Sequence, residues 1–243
     1  MKIIITELGI LLTSGRVARI STDHYLPEKL LRIYLLTILA SSIAVFIAFV
    51  PLRLGNVDVP FNTFQESLKQ HSLAYQIVVF CLLAPIQQEI KFRLCLIYSK
   101  INIAGFLGIW CFFLLNKLNE GKGLFGEQNP TSLNLGLSLI AMASVYSCLL
   151  QNKEINNKLE TLWMTYSKPV FLISILCFAL FHVASLDKNL LDLRLIPILL
   201  LPPVLSGLIF GYTRLKYGVR YSLLLHIGYN VVCVFLPFLN VLA

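Results

Sequence analysis

The chain has 243 residues, of which 57% are hydrophobic and only 13% charged, with a mean hydropathy of +0.78. A charged share about half that of a soluble globular domain excludes a water-soluble fold, which at this size could not hide so much apolar surface. The formal net charge of +8 suits a membrane surface rather than nucleic acid, because the Lys and Arg residues fall between the apolar runs.

Residues 1–32 read as an N-terminal segment that is either interfacial or cytoplasmic and disordered. Glu7 interrupts the apolar stretch 3–12 and the small-residue cleavage pattern is weak, so this is not a cleavable signal. Residues 33–243 read as one transmembrane domain. Runs able to cross ~30 Å of hydrocarbon, about 20 residues each, lie near 33–52, 73–98, 101–117, 132–150, 169–185, 195–212 and 221–242. The expected fold is therefore all-α, a polytopic helical bundle of about seven spans. The polar connectors 118–131 and 151–168 read as inter-helix loops. With the amino terminus inside, only Arg53, Lys69, Lys117, Lys122, Lys188 and Arg194 of the 20 Lys and Arg residues face outward, which follows the positive-inside rule and gives an N-in topology. The six cysteines lie in apolar runs without CxxC spacing, as small buried residues do.

Ionisable residues away from the ends of a membrane helix are costly enough to mark function, and three places qualify. In the second span Glu89 and Arg93 stand one helical turn apart on one face; the bland alternative is that the pair neutralises itself while Lys91 snorkels to the interface. His182 ends the fifth span, with Phe178 one turn below to shield or orient its ring. His226 and Asn230 share a face of the last helix, where simple inter-helix hydrogen bonding is the competing role. Together a carboxylate, an arginine, two imidazoles and a carboxamide can position a water and stabilise an oxyanion, which is a hydrolase constellation.

In that order the motifs Gln88-Glu89-x-x-x-Arg93, Phe178-x-x-x-His182 and His226-x-x-x-Asn230 resemble the EExxxR, FxxxH and HxxxN motifs of the CAAX-protease and bacteriocin-processing (CPBP, or Abi) family of intramembrane endopeptidases. Ala84-Pro85 before the first motif and Ser206 to Tyr212, with Tyr217-Gly218, before the third agree as well; Gly207 and Gly211 would let that helix approach a neighbour closely. The resemblance spans roughly 83–231. The long separation of Glu89 from His182 reads as an extra helical hairpin near 101–150, and two added spans preserve the direction of the motif helices. Straight, perpendicular helices at ~1.5 Å per residue would put His182 nearer the outer face than Glu89; tilt, or a helix beginning before Pro169, has to close that gap.

What the resemblance implies is a membrane-embedded endopeptidase of the bacterial inner membrane, acting on a peptide or membrane-anchored protein substrate with the lipid bilayer as its surroundings. Glu89 is then the candidate base, His182 and His226 orient water and stabilise the oxyanion, Asn230 adds a donor, and Arg93 braces Glu89. No cofactor is required, although His182, His226 and Glu89 match a catalytic zinc ligand set. The departure is Gln88. The family's first glutamate is taken to activate the attacking water, and a neutral amide cannot accept that proton. Gln88 thus leaves open a second class of function, a catalytically degenerate member acting as a binding, immunity or accessory membrane protein. A transporter or channel would need polar residues spread along several helices, whereas here they concentrate in three motifs.

Overall fold

The computed structural model describes residues 2–18, 25–54, 71–118, 130–184 and 195–239, and among them it is a bundle of nine helices with no strand. They are α1 (Lys2–Ser14), α2 (Leu26–Leu54), α3 (Leu73–Leu96), α4 (Lys100–Leu118), α5 (Pro130–Gln151), α6 (Lys153–Thr165), α7 (Ser167–Ala184), α8 (Ile196–Tyr217) and α9 (Val219–Leu239). Six of them, α2 to α5, α7 and α8, are long and apolar enough to cross a membrane, and in α9 the described apolar stretch is the shorter Val219–Phe235. The protein is a multi-pass membrane protein.

At the centre stands α8. Half of its apolar stretch is buried, against a third or less in the other five, and it packs on α2, α7 and α9. Small residues allow this. A Cβ at Gly207 would lie 3.0 Å from Phe178 Cδ1 and one at Gly211 2.8 Å from Phe171 Cε2, so the close approach expected of these glycines to a neighbouring helix is present. The helix ends at Gly218, whose φ of 98° is a conformation that a side chain disfavours.

Two segments differ from the sequence expectation. The connector 151–168 is not a loop but carries α6, because Asn152 caps it by accepting from Ile155 N–H at 3.0 Å and because Leu159 and Trp163 recur at helical spacing on its inner side. Trp163 Nε1 donates to Cys95 O at 2.6 Å and Tyr98 Oη to Asn156 O at 3.1 Å, which fasten α6 to the end of α3. Residues 2–14 of the N-terminal segment also form a helix. In α1, Ile4, Leu8 and Leu11 are buried against α7 and α8 while Ile3, Ile5, Ile10 and Leu12 remain exposed, and Glu7 accepts hydrogen bonds from Tyr212 at 2.5 Å and from Lys216. The expected boundary at residue 32 falls inside α2, which starts at Leu26. Of the connector 118–131, residues 119–129 lie outside the described residues.

The helix that carries the first motif is irregular. In α3, Gln76–Leu83 and Glu89–Arg93 are π-wound, with an α-helical turn Ala84–Gln88 between them and a tight 3-10 turn, Leu94–Leu96, at the end. Ala84 N–H reaches back five residues to Val79 O. The next N–H in that register would serve Phe80 O, but residue 85 is a proline and has none. Asn230 Nδ2 on α9 supplies the missing donor at 2.8 Å. Wide turns of this kind recur at functional sites.

Candidate active site

Glu89, Arg93 and His226 meet in the middle of the bundle. Glu89 is 3% exposed, Arg93 2% and His226 2%. Arg93 Nη1 lies 2.6 Å from Glu89 Oε1, and His226 Nδ1 approaches the same oxygen at 3.1 Å. Ser222 Oγ reaches the other oxygen, Oε2, at 2.8 Å. The carboxylate is therefore contacted by a guanidinium, an imidazole and a hydroxyl, as a charge withdrawn from water must be. Rings close the cluster: Phe210 stacks on His226 with centroids 4.5 Å apart, and Phe178 lies edge-on to His226 at 5.9 Å and under Arg93 Cζ at 4.3 Å.

His182 joins this cluster through Phe178. The two rings lie 4.4 Å apart, and His182 Nδ1 is 2.9 Å from Phe178 O. Its depth follows from the way α3 and α7 run past each other. Trp163, just before α7, meets Cys95, Ser174 Oγ donates to Phe92 O at 2.5 Å, and Phe178 packs on Phe92 and Arg93. The helices are antiparallel, so one turn from Phe178 to His182 climbs to the level that one turn from Arg93 to Glu89 reaches. Helix α7 begins at Ser167, ahead of Pro169, and the contacts through Phe92, Arg93 and Phe178 bring His182 beside the Glu89 cluster.

Asn230 stands one turn beyond His226 on α9, but its Nδ2 is occupied by Phe80 O. It is thus joined to the backbone of α3 rather than to the Glu89 cluster. Gln88 is buried, and its Oε1 has no hydrogen-bond partner among the described residues; Arg93 Nη2 has none either. Buried polar atoms without partners are few in native proteins, and each one calls for an explanation such as a water or ligand. Here they sit on either side of Glu89 in the chain.

Among the described residues no group of three His, Cys, Asp or Glu side chains could hold a metal ion, and Glu89 Oε1 is already engaged by Arg93 and His226 Nδ1.

Sequence reasoning missed two features. Ser222 extends the spacing of His226 and Asn230 back by one turn, and that i, i+4 pattern was a readable signal for a polar residue on the same face. In the bland alternative for this turn Lys91 snorkels to the interface. Instead it is 3% exposed, with Nζ 3.6 Å from the Phe113 centroid, 3.8 Å from that of Phe181, and within 5.5 Å of those of Trp110 and Phe92. Each ring contributes about 0.5–2 kcal/mol to holding an ammonium, but none neutralises it.

A family model described as type II CAAX prenyl endopeptidase, Rce1-like, matches residues 70–232. The chain belongs to this Rce1-like family. No curated protein and no solved structure matches it. The matched residues take in Glu89, Arg93, His182, His226 and Asn230, together with Ser222 and Lys91, and leave α1 and α2 outside. Membership makes this a CAAX-protease-like membrane protein, in line with the motif resemblance, and α1 and α2 are helices that this Rce1-like chain places around the matched region.

Proposed function

We propose that this Rce1-like protein is a membrane-embedded endopeptidase that hydrolyses a peptide bond of a peptide or membrane-anchored substrate between α3, α7 and α9. The observation that carries the reading is the buried contact of Glu89 with His226 and Arg93, flanked by the unpartnered Gln88 Oε1 and Arg93 Nη2.

The contacts favour a division of labour in which Glu89 is not the base. To take a proton from water it would have to give up one of its three partners, and it is already braced by Arg93. Held by Glu89, the His226 ring presents Nδ1 to the carboxylate and leaves Nε2 for the reacting water, as a carboxylate orients a catalytic imidazole. Nε2 then takes the proton of the attacking water and returns it to the leaving amine. Gln88 Oε1 can hold that water by accepting a hydrogen bond, although it cannot take the proton. By this division Arg93 Nη2 is the donor to a developing oxyanion, while His182, whose Nδ1–H is given to Phe178 O, orients the water as an acceptor through Nε2. In this reading Asn230 contributes through the backbone of α3, no cofactor is required, the α4–α5 hairpin is an addition to the peptidase core, and the chain sits N-in in the bacterial inner membrane.

The test is cleavage of a quenched-fluorescence peptide library by detergent-purified protein. The wild type should cleave, and Glu89→Gln and His226→Ala should each lose about 10²- to 10⁴-fold, the contribution of a positioned acid–base group. Equal rates in all three would end the proposal. A second reading, a catalytically degenerate member with a binding or accessory role, draws on Gln88 and on the full set of bonds around Glu89. It requires an inert wild type.

A further inference from the structure

The turn between α8 and α9 brings a serine against the active-site carboxylate. Gly218, with its φ of 98°, reverses the chain between the two helices, and α9 starts at Val219. Ser222, in the first turn of α9, thereby comes level with Phe210 of α8. It has no exposed surface. Its Oγ lies 2.8 Å from Glu89 Oε2 and 3.0 Å from Phe210 O. A hydroxyl has a single proton to give, and an ionised carboxylate is the stronger acceptor of the two.

The two oxygens of Glu89 are held differently. Arg93 and His226 both engage Oε1. Two partners on one oxygen fix that oxygen but not the plane of the carboxylate, which turns easily about the last bond of the side chain. Among the described residues, Ser222 is the side chain that holds Oε2. Because Ser222 and His226 stand one turn apart on α9, this helix grips both oxygens at once. An ionised carboxylate only accepts, so with its plane held the proton of the His226 ring sits on Nδ1 and Nε2 is bare. Ser222 also reaches the carbonyl of Phe210, whose ring stacks on His226 with centroids 4.5 Å apart.

We propose that Ser222 is a positioning residue that acts through Glu89: by holding Oε2 it fixes the plane of the carboxylate and so keeps His226 in the tautomer with Nδ1 protonated and Nε2 free. The consequence for turnover rests on the endopeptidase reading, whereas the tautomer does not. Fully enclosed, Ser222 does not meet the substrate, and its influence falls on the rate rather than on binding. None of the three sequence motifs contains it.

Tautomer and turnover are read separately on full-length protein in nanodiscs. Nitrogen NMR of isotopically labelled histidine tells protonated from bare ring nitrogens, with the His226 signals assigned by their loss in His226→Ala. The wild type should show a protonated Nδ1 and a bare Nε2. In Ser222→Ala a clear share of the signal should move to the opposite tautomer, and kcat should fall about 10- to 100-fold, the scale of loss from a misplaced group, at unchanged KM. Ser222→Thr keeps the hydroxyl and should restore both. Near-UV circular dichroism and gel filtration check each fold; should Ser222→Ala not fold, Ser222→Cys replaces it, with a smaller change in the same direction because a thiol is a weak donor. The proposal is overturned by a wild type with Nε2 protonated, by an unchanged tautomer in the hydroxyl-free variant, by a loss of activity through KM alone, or by a folded Ser222→Thr that does not recover the wild-type tautomer. An inert wild type whose tautomer still depends on Ser222 removes the endopeptidase and leaves the positioning role; cleavage with one tautomer throughout does the reverse.

Discussion

Glu89 and Glu7 are both carboxylates joined to side chains of neighbouring helices, and their partners differ in kind. Glu89 lies inside the bundle and contacts a guanidinium, a hydroxyl and an imidazole, the last a group that accepts a proton in its neutral form. Glu7 lies on α1, outside the residues matched by the family, and takes Tyr212 and Lys216 of α8. In the proposed reading one set of bonds prepares a group for chemistry; the other fastens a helix. Burial alone would not separate the two roles, since Tyr212 is as fully buried as any residue of the site.

Glu89→Gln should break this comparison most severely. It leaves Arg93 buried without its counter-charge, a change that costs about 3–5 kcal/mol, and unfolding in mixed micelles by SDS titration should register it. Glu7→Gln should cost less, about 1.5–3 kcal/mol for hydrogen bonds to a charged group, and the loss should appear as faster amide exchange in α1 while α7 to α9 stay protected.

Acid provides a second way to sharpen the contrast. Burial raises the Glu7 carboxyl, but the hydrogen bonds from Lys216 and Tyr212 and the charges of Lys216 and Lys29 outweigh it, so its pKa lies below the ordinary value of 4.5. A depressed carboxyl stabilises the folded state above its unfolded pKa, and that contribution disappears as the pH falls through the folded value. Attachment of α1 should therefore be full at neutral pH and weaken below about pH 4.5. Exchange in α1 of the wild type should rise there towards that of Glu7→Gln, which should show little such dependence.

The smallest effect is expected at Asn230. Its bond to Phe80 O fills an acceptor that Pro85 cannot serve, and interhelical hydrogen bonds in membranes average about 0.6 kcal/mol. Asn230→Ala should lower the SDS midpoint slightly, with the change in exchange confined to the part of α3 before Pro85. A large loss of turnover at unchanged stability would instead return Asn230 to the reacting atoms.

Much of this was legible in the sequence, for reasons that can be named. Hydropathy located the long spans because each crosses the bilayer as a continuous apolar run, and the three motifs appeared as ionisable residues in positions where hydrocarbon should exclude them. Gly207 and Gly211 announced a close approach by their spacing. The order of α1 was hidden because Glu7 reads as an interruption until Tyr212 and Lys216 are beside it. Amphipathic α6 was obscured by its polar face, although Asn152 and the spacing of Ile155, Leu159 and Leu162 carried the signal. The enclosure of Lys91 needs Phe113 and Phe181 from two other helices, and no local pattern contains them. The π-wound turns of α3 depend on the register around Pro85, which periodicity does not resolve.

Gln88 provides the most direct test of the central claim that His226, oriented by Glu89, takes the proton without a carboxylate at position 88. Peptide cleavage is compared between wild type and Gln88→Glu, each checked for folding. The expected result is an active wild type, with Gln88→Glu no faster or slower, because a second carboxylate beside Glu89 meets like-charge repulsion. An inert wild type made active by Gln88→Glu, by the roughly 10²- to 10⁴-fold that a positioned base supplies, would contradict the account.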